Sequence, residues 1–164
     1  MTQSKGERRR VVVTGVGAVT PIGLDARETW SSMREGRCGV GPIETFEIKD
    51  LYIHIAAEIK GFDPAKHVSS RKVQYGDRYS WFAARSAEEA WKQSGLPTPI
   101  ADPYRAACIF GSGAGGFNTI ETAYDDLFVK HKKATNPLTL LRIIGSSAAA
   151  HIGIEQGIKG PTFA

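Results

Sequence analysis

The chain has 164 residues, of which 41% are hydrophobic and 23% charged; this is ordinary for a folded domain and excludes a disordered or collagen-like chain. Most of the net charge of +4 lies in the first ten residues, where Lys5, Arg8, Arg9 and Arg10 stand against Glu7. The rest is nearly neutral, so no nucleic-acid partner is expected. The two cysteines exclude a disulfide framework, and no apolar run approaches the length of about 20 residues that spans a membrane.

The first predicted elements are a strand and a helix, joined by a loop. A continuous run of β-branched residues predicts a short buried strand at Arg10–Thr14. Glycines and a proline make Gly15–Gly23 a loop. Asp25 can then cap a helix that stops at Gly36. The apolar stripe predicted for this helix consists of Ala26, Trp30 and Met33.

The segment that follows is less regular. We expect Gly41–Pro42 to be a turn, because glycine and proline are the strongest turn residues. Loose alternation of apolar and polar residues at Tyr52–Ile59 predicts a strand. Phe62–Pro64 then begins a short helix or turn.

The clearest periodicity lies between Asp77 and Ser94, which we predict as a helix ended by Gly95 and Pro97. Its apolar face is rich in alanine, so close packing against a neighbour is expected. That face consists of Tyr79, Phe82, Ala83, Ala87, Ala90 and Trp91, and the opposite face of Arg78, Arg85, Glu89 and Lys92.

The last third of the chain alternates strand and helix. Tyr104–Phe110 is predicted as an apolar strand, the glycine run Gly111–Gly116 as a loop, and Phe117–Lys132 as a helix. A further helix is expected within Leu138–Glu155, after a break at Asn136–Pro137. This alternation indicates an α/β layered fold.

The glycine run is the first candidate site. Gly111, Gly113 and Gly116 satisfy the pattern GxGxxG between a strand and a helix, as in dinucleotide-binding domains. The acidic residue expected about 20 residues later is missing, because Lys132–Pro137 contains neither Asp nor Glu. An α/β nucleotide-binding domain using Gly111–Gly116 stays open, as does close approach of the loop to another backbone.

No residue of this sequence is predicted to be a catalytic nucleophile or a metal ligand. Cys38 lies in a polar loop, and Cys108 lies in an apolar strand that raises the pKa of a thiol. The four histidines are His54, His67, His131 and His151, and their spacing does not form a metal-binding pattern. The basic cluster Lys130–Lys133 is interpreted as a solvated helix end.

Four segments in order carry a resemblance to a known family. They are Arg9–Gly23 (RRVVVTGVGAVTPIG), Ser69–Lys72 with Asp77–Arg78, Gly111–Gly116 (GSGAGG) and Gly157–Pro161 (GIKGP). Together they resemble β-ketoacyl-[acyl-carrier-protein] synthases of the KAS II type over essentially the whole chain. The resemblance implies the thiolase-like α/β fold, layered α-β-α-β-α, of which residues 10–164 are roughly the first half, after a basic arm at residues 1–9.

The resemblance also implies an activity. The complete protein is expected to be an acyltransferase that performs a decarboxylating Claisen condensation in fatty-acid or polyketide synthesis. Its partners would be acyl carrier protein loaded with acyl and malonyl groups and, as a homodimer, a second copy of itself. No cofactor or metal and no membrane partner is implied, and a cytoplasmic location is expected. The cysteine nucleophile is expected just after Ala164, so the 164 residues alone are expected to be inactive.

The same resemblance assigns pocket residues. Gly113 and Ala114 match the loop that limits the depth of the acyl tunnel, and Leu138 and Thr139 match positions that approach the tunnel of the dimer partner. Gly76, where the family commonly has Met, and Ser146–Ser147, where it has Asn-Met, are departures that leave the subfamily open. A catalytically silent subunit resembling a chain-length factor stays an alternative.

Overall fold

The computed structural model describes residues 10–49 and 51–164; the basic arm predicted for residues 1–9 lies outside them. The helices are α1 (Ala26–Arg34), α2 (Pro64–His67), α3 (Ser70–Tyr75), α4 (Arg78–Ser94), α5 (Phe117–Tyr124), α6 (Thr139–Ile143) and α7 (Ser147–Gln156). The strands are β1 (Gly41–Pro42), β2 (Ile55–Ala56), β3 (Cys108–Ile109) and β4 (Thr162–Phe163). β1 pairs antiparallel with β2, and β3 pairs parallel with β4, with Cys108 opposite Thr162.

Helix α4 forms as predicted and lies at the centre of the fold. Asp77 is its N-cap, and Gly95 ends it in the left-handed conformation at φ +68°. Its most buried side chains are Ser80 and Ala84, at 4% and 3% exposure, whereas the predicted apolar face is only half-buried. Helix α4 is therefore covered from more than one side.

Helix α7 covers one side of α4. Ala148 and Ala149 are completely buried, and Gly153 is buried on the same helix. Small side chains allow two helix backbones to approach closely, as the alanine content of α4 predicts. Helix α7 also contacts β3 and β4.

The loop at residues 15–18 covers another side of α4. A Cβ atom on Gly17 would lie 1.9 Å from the carbonyl oxygen of Ser86, so only glycine fits there. The amide of Ala18 donates to Glu89 Oε2 at 3.0 Å, and the amide of Ala26 donates to Glu89 Oε1 at 2.9 Å. Glu89 lies on the face that was predicted to be opposite the apolar stripe, and its carboxylate holds this loop and the start of α1.

The predicted buried strand at Arg10–Thr14 is wrong. The segment belongs to no strand, and Val11 is 93% exposed, with Val12 and Val13 also exposed. Among the described residues no other segment hydrogen-bonds to it as a neighbouring strand. A β-branched run becomes a buried strand only where a partner supplies those hydrogen bonds.

Helix α1 begins as predicted, since Asp25 Oδ1 accepts a hydrogen bond of 2.7 Å from the amide of Glu28. Its predicted apolar stripe is not buried within the described residues: Trp30 and Met33 are 61% and 58% exposed. Exposed apolar side chains also lie on α5, at Phe117 and Tyr124, and on the turn directly after it, at Phe128.

Three further predictions need correction. Gly41–Pro42 is not a turn but strand β1, because it pairs with residues 55–56. The strand predicted at Tyr52–Ile59 is reduced to β2. The strand predicted at Tyr104–Phe110 is reduced to β3, because Pro103–Arg105 forms a 3₁₀ turn closed by the amide of Arg105 on Asp102.

The predicted helices at the C-terminal end are confirmed with modified boundaries. Helix α5 continues as a π-helical turn over Asp125–Val129, close to the predicted end at Lys132. The segment Leu138–Glu155 contains two helices, α6 and α7, and the hydroxyl of Ser147 donates to the carbonyl of Leu141 across the break. Within the part of the chain that the structure describes, no helix is both long and apolar enough to cross a membrane.

Candidate functional site

The glycine loop Gly111–Gly116 connects β3 to α5, as the sequence predicts. Gly115 has φ +64°, a conformation that favours glycine. Its amide donates to Ser112 Oγ at 3.0 Å, so the loop closes on itself.

The second half of this loop packs against the C-terminal end of α6. A Cβ atom on Gly116 would lie 2.2 Å from the carbonyl oxygen of Arg142, and one on Gly115 would lie 2.5 Å from that of Ile143. The amide of Gly116 also donates to Ile143 O at 3.2 Å. These glycines allow two backbones to approach each other, which was one of the two explanations that the sequence left open.

The first half of the loop is open. Gly113 and Ala114 are exposed, and a Cβ atom on Gly113 would meet no atom within 4 Å. The loop therefore holds two positions fixed against α6 and presents Ala114 outward.

Leu138 and Thr139 lie at the other end of α6. Asn136 orders this end: its Oδ1 accepts from the amide of Leu138 at 2.8 Å, and its carbonyl accepts from the amide of Thr139 at 2.9 Å. Both side chains are half-buried. Since α6 has five residues, and a helix rises about 1.5 Å per residue, Leu138–Thr139 and the glycine loop occupy opposite ends of one short helix.

Thr139 also lines a cavity of about 390 Å³ between α4, α5 and α6. Its polar wall includes Asp77, Thr119 and Arg142. The sequence predicts Asp77 only as the start of a helix and as part of a segment that resembles the family. Asp77 Oδ2 accepts a hydrogen bond of 2.8 Å from the amide of Thr119 in α5. Sequence periodicity could not predict this contact, because it joins residues 42 positions apart.

The family of this chain is shown by a match to a known protein family over nearly its whole length. Residues 8–164 match the family described as "Beta-ketoacyl synthase, N-terminal domain". The chain belongs to this family. The alternative of an α/β nucleotide-binding domain that uses Gly111–Gly116 is therefore wrong. In this fold Gly115 and Gly116 pack on α6, and the amide of Gly116 donates to Ile143 O and is not free to bind a phosphate.

Related proteins agree with the β-ketoacyl synthase assignment. The chain is 34% identical to "3-oxoacyl-[acyl-carrier-protein] synthase 2" of Coxiella burnetii over 96% of its own length and 38% of the relative's. It therefore spans about two fifths of that relative. Among solved structures it is similar to "The ishigamide ketosynthase/chain length factor", with a TM-score of 0.85 and 24% identity over 96% of this chain and 40% of that one.

The chain is also similar to a second solved structure, "AntDE:AntF (apo): type II PKS acyl-carrier protein in complex with its ketosynthase bound to the hexaketide". That similarity has a TM-score of 0.72 and 25% identity, and it covers 93% of this chain and 41% of the other chain. These similarities confirm the fold predicted from the sequence motifs, the first half of a thiolase-like α/β fold.

The basic cluster Lys130–Lys133 of this synthase domain is largely neutralised by its own chain. Lys130 Nζ lies 3.1 Å from Asp125 Oδ2, and Lys132 Nζ lies 3.0 Å from Asp126 Oδ2. The hydrogen bond from Lys132 is the main cause that lowers the pKa of Asp126. These contacts fit the interpretation of the cluster as a solvated helix end.

The two cysteines differ in accessibility, and we expect them to differ in reactivity. Cys38 is exposed, whereas Cys108 is half-buried in β3, where burial raises the pKa of its thiol. Since the thiolate is the reactive form, iodoacetamide should modify Cys38 before Cys108. Peptide mass mapping of the folded protein over time measures both rates.

Modification in denaturant is the control, because both thiols should then react at similar rates. Equal or faster modification of Cys108 in the folded protein would contradict the expectation.

Within residues 10–49 and 51–164, no group of three or more His, Cys, Asp and Glu side chains could hold a metal ion.

Proposed function

We propose that this domain is the N-terminal half of a 3-oxoacyl-[acyl-carrier-protein] synthase. The family match over residues 8–164 supports the proposal most directly. Further support comes from exposed apolar side chains, Trp30 and Met33 on α1 and Phe128 on the π-helical turn after α5, which a second half and a dimer partner would cover. The complete enzyme is proposed to be a homodimer located in the cytoplasm, where the free thiols Cys38 and Cys108 would stay reduced.

The proposed reaction has two stages. A cysteine thiolate, expected after Ala164, attacks the acyl thioester of a loaded carrier protein, forms an acyl-enzyme thioester and releases the carrier thiol. Malonyl carrier protein then loses carbon dioxide, and the resulting carbanion attacks the acyl-enzyme carbonyl. The new carbon–carbon bond forms as the cysteine thiolate leaves, and the product is 3-oxoacyl carrier protein.

The described residues would contribute to substrate binding. Gly113 and Ala114 are proposed to form part of the acyl pocket, since the outer half of the glycine loop is exposed while its inner half is held on α6. Leu138 and Thr139 are proposed to approach the pocket of the dimer partner. The acyl carrier protein is the proposed macromolecular partner, in line with the carrier protein complex described for a similar ketosynthase.

Acyl transfer tests this function directly. The full-length protein carrying this domain is incubated with acyl-[acyl-carrier-protein], and its intact mass is measured. We expect one acyl group per subunit, followed by release of 3-oxoacyl carrier protein when malonyl carrier protein is added.

The control replaces the cysteine expected after Ala164 with alanine, which should abolish the acyl adduct. No adduct on the unaltered protein with any acyl chain would contradict the proposed enzyme and support the silent-subunit alternative.

A further inference from the structure

Asp77 is a buried carboxylate at the corner between α3 and α4, with 5% exposure. Its Oδ2 atom accepts hydrogen bonds from the amide of Thr119 at 2.8 Å and from the hydroxyl of Thr119 at 2.5 Å. Burial of a carboxylate is unfavourable unless hydrogen bonds replace its water. Both of these bonds come from one residue of α5, so the carboxylate joins two helices that are distant in the sequence.

Helix α5 needs a cap from elsewhere in the chain. Its N-cap is Gly116, which has no side chain that could accept from the free amides of the first turn. Thr119 is the third residue of α5, the position whose amide a capping side chain commonly accepts from. Asp77 therefore acts as the missing cap, and its negative charge is favourable at a helix N-terminus.

The α3–α4 corner is also hydrogen-bonded to the C-terminal end of α6, on which the glycine loop packs. Arg142 at the end of α6 donates from Nη2 to the carbonyl of Gln74 at 2.7 Å. The hydroxyl of Tyr79 donates to the carbonyl of Ile144 at 2.6 Å. The loop Gly111–Gly116 thus lies between α5 and α6, and both of these helices are anchored to the same corner.

The backbone at Gly76, directly before Asp77, is tightly packed. A Cβ atom on Gly76 would lie 2.6 Å from Ser80 Oγ and 2.8 Å from Trp81 Nε1. The indole of Trp81 donates to the carbonyl of Lys72 at 3.1 Å. In this chain, therefore, only glycine fits at position 76, and the packing fixes the backbone directly before Asp77.

We propose that Asp77 is a positioning residue, which holds the glycine loop against α6 through Thr119 and thereby sets where Ala114 stands. The positioning role rests only on the hydrogen bonds from Thr119 to Asp77 and from Gly116 to Ile143, and it does not depend on the proposed function. The consequence for acyl chain length rests on the proposed function. Loss of the carboxylate would release the start of α5, and with it the segment that presents Ala114 to the acyl chain.

Amide hydrogen exchange of the full-length protein tests the positioning role without any activity. In Asp77→Ala the amides of residues 115–120 should exchange about tenfold faster or more, the factor expected when a hydrogen bond to a charged group is lost. Thr119→Val, which removes only the hydroxyl donor, should give a smaller increase, and Thr119→Ser should restore protection. Glu89→Ala is the matched control, because that carboxylate of α4 also accepts backbone amides but holds residues 18 and 26.

The acyl-chain profile tests the functional consequence. The ratio of kcat/KM for octanoyl and palmitoyl carrier protein should shift by about tenfold in Asp77→Ala, a factor similar to the effect of one methylene group in a hydrophobic pocket. Thr119→Val should shift it in the same direction, and Glu89→Ala should leave it unchanged.

The outcomes separate the two proposals. Unchanged exchange of residues 115–120 in Thr119→Val and in folded Asp77→Ala would overturn the positioning role. Faster exchange with an unchanged acyl-chain ratio in an active enzyme would overturn the effect on selectivity. If the unaltered protein forms no 3-oxoacyl product, the proposed function and the selectivity fail together, and the exchange result still decides whether Asp77 holds the loop.

Discussion

Gly116→Ala is expected to lower the free energy of unfolding by about 3 kcal/mol, which is the upper end of the range for overpacking a tight contact. The added Cβ would lie 2.2 Å from the carbonyl oxygen of Arg142, a backbone atom that no side-chain rotation can move. The strain should also break the hydrogen bond from the amide of Gly116 to Ile143 O. Urea unfolding followed by circular dichroism measures the effect.

Gly113→Ala is the matched control, three residues earlier in the same loop. Nothing lies within 4 Å of the added methyl group, so the change in unfolding free energy should stay within about 0.5 kcal/mol. Equal loss of stability in the two variants would show that loop flexibility, and not contact with α6, is what requires glycine.

Ala114→Ile is expected to reduce kcat/KM for long acyl chains by about tenfold to a hundredfold, while short chains react nearly as before. In the acyl pocket that we propose at this loop, the larger side chain would occupy depth that alanine leaves free. Each added methylene in a hydrophobic pocket changes discrimination by about 1–3 kcal/mol. Kinetic measurements on the full-length enzyme with carrier protein bearing acyl chains of increasing length give the profile.

The substitution should not disturb folding, because Ala114 is exposed on the outer half of the loop. Ala114→Val is a graded control and should move the profile part of the way in the same direction. An unchanged chain-length preference in Ala114→Ile would remove Ala114 from the acyl pocket and leave simple packing as its role.

Local signals in the sequence predicted several elements well. Asp25 and Gly36 mark the limits of α1, and Asp77 and Gly95 mark those of α4, because helix caps depend on residues within one turn of the helix end. The family also followed from motifs in their order, which the match over residues 8–164 confirms.

Strands were predicted poorly. The run Val11–Val13 has strong β propensity but no neighbouring strand among the described residues, so it remains exposed. Gly41–Pro42 has turn propensity but pairs with residues 55–56. Strand pairing depends on a partner segment that is often distant in the chain, and local propensity carries no information about that partner.

The composition, caps and ordered motifs of the sequence by themselves determined the α/β class, the principal helices and the β-ketoacyl synthase family. Only the tertiary structure decided that the Gly115–Gly116 pair serves close contact with α6, that Glu89 is an internal hydrogen-bond acceptor, and that Asp77 caps α5. The physical reason is the separation along the chain over which each kind of interaction acts. Periodicity and capping act over a few residues. The hydrogen bonds that connect this loop and its two helices to the rest of the fold join residues 27, 42 and 68 positions apart, and these residues meet only in the folded chain.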